Sequence, residues 1–245
     1  MSRPPAPRLL VSENYEKLCD AVAHAIAQSA ARAVRTGGRF SIALAGGETP
    51  RGAYERLAAL PLSWENVYLF WGDERWVPRQ DPASNFRMVR QALLEKVPLS
   101  PGNVHAVDTF LPTIEEGAAD YRRKLQEFFG GPPAFDLIML GVGPDGHILS
   151  LFPGSEALEE TSRPVTTARS PDGLARVTLT LPVVNRAASV FFMVSGAGKA
   201  PIVQRVCRGP QTAPALPAQR VQPEGSICWF IDRAAAAGAP EDVIA

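Results

Sequence analysis

The feature that most constrains the fold of this chain is the stretch at 135–155, FDLIMLGVGPDGHILSLFPGS. Its apolar start has the length of a strand and predicts one that is buried on both faces, as in a parallel sheet. A glycine-rich turn follows at once, and Asp145 and His147 lie inside it. Because ligands of open α/β sheets bind just past the carboxyl ends of strands, this turn predicts a functional site.

Two other interpretations of the turn stay open at the level of sequence. Residues 141–146 fit the dinucleotide-binding pattern G-x-G-x-x-G, although Asp145 would then place a carboxylate beside the diphosphate. The acids at the spacing of a ribose contact, Glu159 and Glu160, follow no recognisable strand. The other interpretation is an ordinary tight turn that carries a solvated acid and a solvated imidazole.

The composition is that of a globular α/β protein. Of the 245 residues, 46% are hydrophobic, and 25 basic residues balance 25 acidic ones. We predict a disordered, Pro-rich lead at 1–8 and a single α/β domain at 9–245, because this length supports a sizeable core. The chain has neither a basic stripe nor an apolar stretch long enough to span a bilayer, so neither nucleic acid nor a membrane is expected as a partner.

Cysteine and histidine usage argues against a structural metal site. The cysteines are odd in number and far apart, which is typical of reduced thiols in a cytoplasmic protein: Cys19, Cys207 and Cys228. The histidines show no metal-ligand spacing among themselves or with the cysteines: His24, His105 and His147. We expect a cytoplasmic protein that is a monomer or a weak dimer.

Strand and helix signals alternate along the chain, which indicates a mostly parallel sheet covered by helices on both faces. Strands are predicted at 40–45, 67–71, 103–107, 135–140, 176–181, 189–194 and 227–231. Helices are predicted at 12–36 with Ser12 as the N-cap, after 84–87, at 113–129 and from Asp232 onward. The segment at 155–173 is predicted to be a polar connection.

A glycine pair between a strand and a helix predicts an anion site. Gly46 and Gly47 follow the strand at 40–45, and Thr49 is placed to cap the next helix. Backbone N–H groups at such a helix start bind phosphate, although an ordinary strand-to-helix turn has the same pattern. The side chain of Glu48 is then expected to point away from the anion.

A second glycine-rich segment resembles the nucleotide-binding P-loop but departs from it. Next to SGAGKA at 195–200, Met193 occupies the place of the first glycine, and Ala200 replaces the required Ser or Thr. A nucleotide-binding P-loop is therefore rejected. Lys199 at a helix start remains a natural partner for phosphate.

The remaining polar groups predict acid–base chemistry on a small phosphorylated molecule. No G-x-S-x-G motif supplies a serine nucleophile, which leaves His147 as a general base oriented by a carboxylate such as Asp145 or Asp73. The basic side chains available to hold an anionic substrate are Arg75, Arg176 and Lys199. Taken alone, the DER triplet at 73–75 is also typical of a surface ion pair.

Together these motifs resemble those of 6-phosphogluconolactonases over nearly the whole chain. The stretches that carry the resemblance are AGGETP at 45–50, GDERWVP at 72–78, SNFR at 84–87, FDLIMLGVGPDGHILSLFPGS at 135–155, RVTLTLPVVNRA at 176–187, SGAGKA at 195–200 and LPAQRV at 216–221. The resemblance implies a Rossmann-like three-layer α/β/α sandwich. It also implies hydrolysis of 6-phosphoglucono-1,5-lactone in the oxidative pentose phosphate pathway, without a metal or a coenzyme.

The resemblance further implies roles for individual residues. His147 is expected to activate the attacking water, Asp73 and Asp145 to shape and orient the site, and Arg75 to lie near the sugar ring or the developing oxyanion. The residues implied to hold the phosphate are Gly46, Gly47, Thr49, Arg176 and Lys199. The chain departs from the family where Glu48 replaces a frequent Ser and Leu149 replaces a common Ala, and neither departure removes a proposed catalytic group.

Two other functions on the same fold compete with the lactonase as interpretations of this sequence. Sugar-phosphate isomerase-deaminases resemble this chain in the Asp-Gly-His turn but continue into a stretch that contains Asn and Glu, whereas Ser150, Leu151 and Phe152 follow here. A non-catalytic sugar-phosphate sensor is expected to lose His147 or to carry a DNA-binding helix-turn-helix, and this chain does neither. The lactonase is therefore favoured.

Overall fold

A seven-stranded parallel sheet forms the centre of the protein, whose computed structural model describes residues 7–208 and 215–237. The strands in chain order are β1 (Arg8–Ser12), β2 (Phe40–Leu44), β3 (Val67–Trp71), β4 (Asp73–Arg75), β5 (Val104–His105), β6 (Leu137–Leu140), β7 (Val165–Arg169), β8 (Ala175–Leu179), β9 (Ser189–Val194) and β10 (Ser226–Asp232). The α-helices are α1 (Tyr15–Gly37), α2 (Glu48–Ala58), α3 (Asn85–Ala92), α4 (Ile114–Phe129), α5 (Glu156–Glu159), α6 (Leu181–Asn185), α7 (Ala200–Arg208) and α8 (Arg233–Ala236). In the large sheet the strands pair in the order β1-β10-β9-β6-β2-β3-β5, and every pair is parallel.

The strand order reverses between β2 and β6. From β2 the chain adds β3 and then β5 toward one edge, whereas from β6 it adds β9 and then β10 toward the other. The loops that leave the carboxyl ends of β2 and β6 therefore run in opposite directions and leave a crevice between them. Such a reversal is where ligands bind in open α/β sheets.

Side chains of the central strands enter two separate cores. On β6, Ile138 and Leu140 pack into the core shared with α4 and α6, whereas Leu137 and Met139 pack into the core shared with α1 and α2. This follows from the alternation of side chains along a strand. With helices on both faces of a mostly parallel sheet, the predicted three-layer α/β/α sandwich is confirmed.

A second sheet, three-stranded and antiparallel, extends from the carboxyl end of β3. Its strand order is β4-β8-β7. Gly72 joins it to the large sheet, because its N–H donates to the carbonyl of Leu44 at 2.9 Å and its carbonyl accepts from the N–H of Leu179 at 2.8 Å. Residues of the small sheet thereby reach the crevice at the strand ends.

Two predicted helix caps are wrong. Ser12 ends β1, and α1 is instead capped by Asn14, whose side chain accepts from the N–H of Lys17 at 3.0 Å. Thr49 does not cap α2, which begins one residue earlier with Gly47 as its N-cap and no side-chain cap. Asn and Ser are both good caps, so the sequence alone did not rank Asn14 above Ser12.

Three strands were not predicted. β1 begins at Arg8, within the predicted lead, β4 coincides with the DER triplet at 73–75, and β7 lies within the segment predicted to be a polar connection. Residues 1–6 of the lead lie outside the described residues, and the single-domain boundary stays a prediction. Within the described ranges, no helix is both long enough and apolar enough to cross a bilayer.

Other boundaries agree with the predictions more closely. β3 and β9 have the predicted bounds, and α4 follows Thr113, which forms a capping box with Glu116. The strand predicted at 103–107 contracts to β5, in which His105 is half-buried. The helix predicted after 84–87 begins at Asn85, inside that motif.

Candidate active site

A cavity of about 270 Å³ lies at the reversal point of the large sheet. The loops after β2, β3, β6 and β9 line it, together with β8. The predicted site residues among its lining are Gly46, Gly47, Thr49, Asp73, Arg75, His147, Arg176 and Lys199. The structure thus brings together residues that are up to about 150 positions apart in sequence, as parallel strands bring their carboxyl ends to one edge.

Asp145 is the remaining predicted site residue, and it contacts the ring of His147. Its Oδ1 lies 2.6 Å from Nδ1 of His147 and also accepts from the backbone N–H of His147 at 3.2 Å. Burial raises the pKa of Asp145, but the hydrogen bonds and charge of His147 outweigh that effect and lower it below its ordinary value. With Nδ1 engaged, Nε2 is the ring nitrogen left to exchange a proton.

Glycines give the turn after β6 room for this contact. A Cβ on Gly143 would lie 2.1 Å from Nδ1 of His147 and 2.7 Å from Oδ1 of Asp145. Gly146, between the acid and the imidazole, has a φ of 87°, which side chains disfavour. On its far side the ring of His147 packs against Phe152, with 4.6 Å between ring centroids. The turn is built to hold one imidazole in one orientation.

Asp73 serves a different part of the cavity. Its carboxylate is buried and accepts from the hydroxyl of Ser150 at 2.6 Å, and it lies 3.8 Å from Nη1 of Arg176. Its backbone carbonyl accepts from Nδ2 of Asn85 at 2.8 Å. Of the carboxylates considered as partners for the imidazole, Asp145 rather than Asp73 therefore makes the contact.

Two guanidinium groups face each other at the cavity. Arg75 on β4 and Arg176 on β8 are directly opposite in the antiparallel ladder. Burial and the charge of Arg75 lower the pKa of Arg176, whereas Asp73 raises it. Each buried Nε lacks a hydrogen-bond partner in the part of the chain that the structure describes. Like charges in this arrangement repel each other, so an anion between them would be stabilising.

The glycine pair forms the start of α2 at the cavity wall. Gly47 has a φ of 89°, and no side chain caps the helix, so its first N–H groups point toward the crevice end of β2. The side chain of Glu48 is 86% exposed and lies 3.7 Å from Arg51, so it points away as expected. The start of α2 therefore has space for an anionic group.

Lys199 closes the same side of the cavity. Its Nζ donates to the carbonyl of Val142 at 2.7 Å, and burial lowers the pKa of its ammonium while Asp145 raises it. The loop that leads to it is held by Asp232, which accepts from the hydroxyl of Ser195 and from the N–H of Gly196 at 3.1 Å. Together Lys199 and the α2 start make this side of the cavity positive.

Several residues that position the site were not singled out from sequence as site residues. Asp232 was interpreted only as a helix start, and Asn85 and Ser150 only as parts of motifs. Each contacts a residue of another element that is distant in the sequence. Ser150 hydrogen-bonds to Asp73, and Ser195 hydrogen-bonds to Asp232. The family motif at 84–87 was the one signal that could have found Asn85.

Leu149 forms part of the cavity wall in an unusual conformation. Its φ is 51°, the only positive φ of a non-glycine residue in the described ranges. A Cβ on Gly72 would lie 2.6 Å from its Cδ2, so the leucine packs directly against the joint between the two sheets. Backbone strain of this kind costs about 1–3 kcal/mol and recurs at functional sites.

Comparisons with known proteins show the family of this chain. Residues 13–229 match the family model described as glucosamine-6-phosphate isomerases/6-phosphogluconolactonase. A 6-phosphogluconolactonase from Nostoc is 43% identical over 84% of this chain and 87% of its own length, and one from Rattus norvegicus is 41% identical over 95% and 94%. The crystal structure of a 6-phosphogluconolactonase from Thermotoga maritima is 32% identical, covers 93% of this chain and 100% of its own, and superposes with a TM-score of 0.82. The chain therefore belongs to the family of glucosamine-6-phosphate isomerases and 6-phosphogluconolactonases.

Proposed function

We propose that this chain hydrolyses 6-phosphoglucono-1,5-lactone to 6-phosphogluconate, a step of the oxidative pentose phosphate pathway. The observation that carries the proposal is the 2.6 Å contact between Asp145 and His147 at a cavity that also holds cationic side chains. The names of the curated relatives, which cover most of their own length and of this chain, support the same reaction.

In the proposed reaction His147 acts first as a base and then as an acid. Its Nε2 takes a proton from a water molecule while the water oxygen attacks the lactone carbonyl carbon. The tetrahedral intermediate then collapses, the bond between that carbon and the ring oxygen breaks, and the imidazolium returns the proton to the ring oxygen. Such catalysis contributes roughly 10²–10⁴-fold, and Asp145 supports it by holding Nδ1 and stabilising the imidazolium.

Charge stabilisation at the carbonyl oxygen supplies the rest of the barrier reduction. We assign this role to Arg75, whose guanidinium lines the cavity. Removing one such donor typically costs roughly 10²–10³-fold in rate. Asp73 is proposed to keep Arg176 in place through the 3.8 Å ion pair rather than to contact the imidazole.

The phosphate of the substrate is proposed to bind at the start of α2, with Arg176 reaching it from the small sheet. Gly46, Gly47 and Thr49 offer the N–H groups of the α2 start, and Lys199 and Arg176 offer positive charge. Binding energy from this remote group would hold the lactone carbonyl beside Nε2 of His147, which is how a positioned substrate gains rate.

The test is hydrolysis of freshly prepared lactone above its spontaneous rate, with the wild type and His147→Ala. We expect fast hydrolysis that falls by at least about 10²-fold in the variant. His24→Ala is the matched control, because His24 is exposed on α1 and, within the described ranges, its ring hydrogen-bonds to the carbonyl of Asp20. Activity that survives in His147→Ala would remove His147 as the base but keep the substrate.

An inactive wild type would overturn the proposal itself. Ammonia release from glucosamine 6-phosphate would then indicate the deaminase, and tight sugar-phosphate binding without turnover would indicate the sensor. The cytoplasmic location, the monomer or weak dimer, and the independence from nucleic acid and cofactors stay predictions.

A further inference from the structure

Glu74 is a buried carboxylate between two proposed site residues. It lies on β4 between Asp73 and Arg75 and is 2% exposed, yet it is not part of the cavity wall. Neither the expected mechanism nor the expected binding site uses it. A carboxylate at such a depth is costly unless it is fully hydrogen-bonded, so its contacts define its role.

The carboxylate of Glu74 holds the first turn of α3. Its Oε1 accepts from the backbone N–H of Asn85 at 2.8 Å and from that of Arg75, also at 2.8 Å. Its Oε2 accepts from the N–H of Phe86 at 2.7 Å and lies 3.4 Å from the hydroxyl of Ser84. The positive end of the helix dipole favours a carboxylate here. One side chain thereby joins β4 to α3.

Asn85, whose backbone Glu74 holds, contacts two segments that line the cavity. Its Nδ2 donates to the carbonyl of Asp73 at 2.8 Å, which fixes the orientation of the amide. The other end of the amide packs on Gly46, where a Cβ would lie only 1.9 Å from Oδ1. Asn85 therefore lies between Asp73 and the glycine pair of the proposed phosphate site and sets the distance between them.

We infer that Glu74 is a positioning residue for the proposed hydrolysis, acting through Asn85 to set the distance between β4, which carries Arg75, and the start of α2, where the phosphate is proposed to bind. This inference rests on the proposed function. It predicts that loss of the carboxylate lowers turnover even where the protein stays folded. A displacement of about 1 Å costs up to roughly 10²-fold in rate.

The protonation state of Glu74 is expected to make turnover depend on pH. Burial raises its pKa from 4.5 to about 7, although the N–H groups of Asn85, Phe86 and Arg75 lower it and Asp73 raises it further. The other charged or titratable groups that face it are Arg176 on β8 and Tyr121 on α4. Below pH 7 the protonated acid would hold these N–H groups less strongly, so turnover should fall there.

The first test compares Glu74→Gln with Glu74→Asp in steady-state lactone hydrolysis. We expect the Gln variant to lose roughly 10-fold or more in kcat, because an amide NH₂ faces one of the N–H donors. The Asp variant keeps the charge and should regain part of the loss. The acid limb of kcat against pH should be steeper in the wild type than in the Gln variant, which lacks the ionisable carboxyl group at position 74.

Glu116→Gln is the matched control. Glu116 also accepts a helix-start N–H, from Thr113 at 3.1 Å, but it is exposed on α4 and away from the cavity. It should change neither kcat nor the pH profile. If Glu74→Gln lowers only the melting temperature and leaves kcat, KM and the pH profile unchanged, the role of Glu74 is merely structural and the inference is wrong.

A double-mutant cycle tests the Asn85 step. Gly46→Ala should abolish most activity because its Cβ has no room beside Asn85, and Asn85→Ala should lower kcat by itself. In the double variant the clash is removed, so it should be far more active than the product of the two single effects predicts. Strict additivity would overturn the link between Asn85 and Gly46. An inactive wild type would instead overturn the proposed function, which keeps the two failures distinct.

Discussion

Arg75 and Arg176 stand directly opposite each other on two paired strands, with both guanidinium groups at the cavity. Neighbouring like charges destabilise the unliganded protein, and a bound anion reverses the sign of that contribution. An anion bound beside this pair is therefore expected to stabilise the small sheet.

Substitutions of the two arginines should separate binding from turnover. Arg176→Ala should raise KM by roughly 10-fold or more, because a charge-assisted hydrogen bond to phosphate contributes about 1.5–3 kcal/mol. Arg75→Ala should instead lower kcat by roughly 10²-fold through loss of an oxyanion donor. Steady-state kinetics decide between them, with Arg90→Ala on α3 as the control, since Arg90 pairs with Glu95 outside the cavity. If Arg75→Ala raised KM and Arg176→Ala lowered kcat, Arg75 would be the phosphate ligand and Arg176 the oxyanion donor.

Asp145→Asn should lower kcat with little change in KM. The amide presents an NH₂ or an uncharged oxygen to Nδ1 of His147, so the ring loses its preferred tautomer and the imidazolium loses its stabilising charge. Replacement of the equivalent acid in catalytic triads costs up to roughly 10⁴-fold. Single-turnover kinetics on fresh lactone measure the loss, and an unchanged kcat would show that Asp145 does not support the imidazole.

The same substitution should change how stability depends on pH. The pKa of Asp145 is lower in the folded protein than its ordinary value of 3.8, so folding favours the ionised form. This contribution is fully present above pH 3.8 and is lost as the pH falls through the lower, folded pKa. Urea unfolding between pH 5 and pH 2 should therefore show a shallower acid loss for Asp145→Asn than for the wild type.

Gly143→Ala should inactivate the protein without unfolding it. The new Cβ would overlap Nδ1 of His147, and the imidazole would have to leave its contact with Asp145. We expect a loss of roughly 10²-fold in kcat from such a displacement. Gly141→Ala should be far milder, because a Cβ there meets no atom within 4 Å. Equal losses in the two variants would indicate a general sensitivity of the turn.

Tyr54→Phe should destabilise the fold. Its buried hydroxyl donates to the carbonyl of Ala45 at 2.9 Å and accepts from the N–H of the same residue at 3.0 Å, which ties off the end of β2. Leaving both groups unpaired costs about 1–3 kcal/mol in the free energy of unfolding. Tyr68→Phe is the control, since the hydroxyl of Tyr68 makes no hydrogen bond within the described residues. Urea unfolding would contradict the prediction if both variants lost equal stability.

Much of this fold and site could be predicted because their signals are local. Asp145 and His147 are separated by one glycine, so their contact depends on a single turn, and β9 is an uninterrupted apolar run. β1 was missed because only Leu9 of that edge strand is buried, directly after a Pro-rich lead. β7 was missed because it lies in the small sheet and three of its five side chains are polar.

The positioning contacts escaped prediction for a different reason. Glu74 and Asp232 accept from backbone N–H groups of other elements, and Asn85 donates to the backbone carbonyl of Asp73. Such partners depend on the tertiary fold rather than on spacing along the chain. Ser150 is similar, since its contact with Asp73 bridges the two sheets.

The division into two sheets also has a consequence for the evolution of substrate specificity. The imidazole and the helix start are rooted in the large sheet, whereas Arg75 and Arg176 are rooted in the small one. The tight turn between β7 and β8, at 170–174, is remote in sequence from both the imidazole and the glycine pair. Variation in that hairpin is expected to retune the charge preference of the cavity while the groups proposed to transfer the proton stay in place, so a new specificity could arise by changes in the small sheet alone.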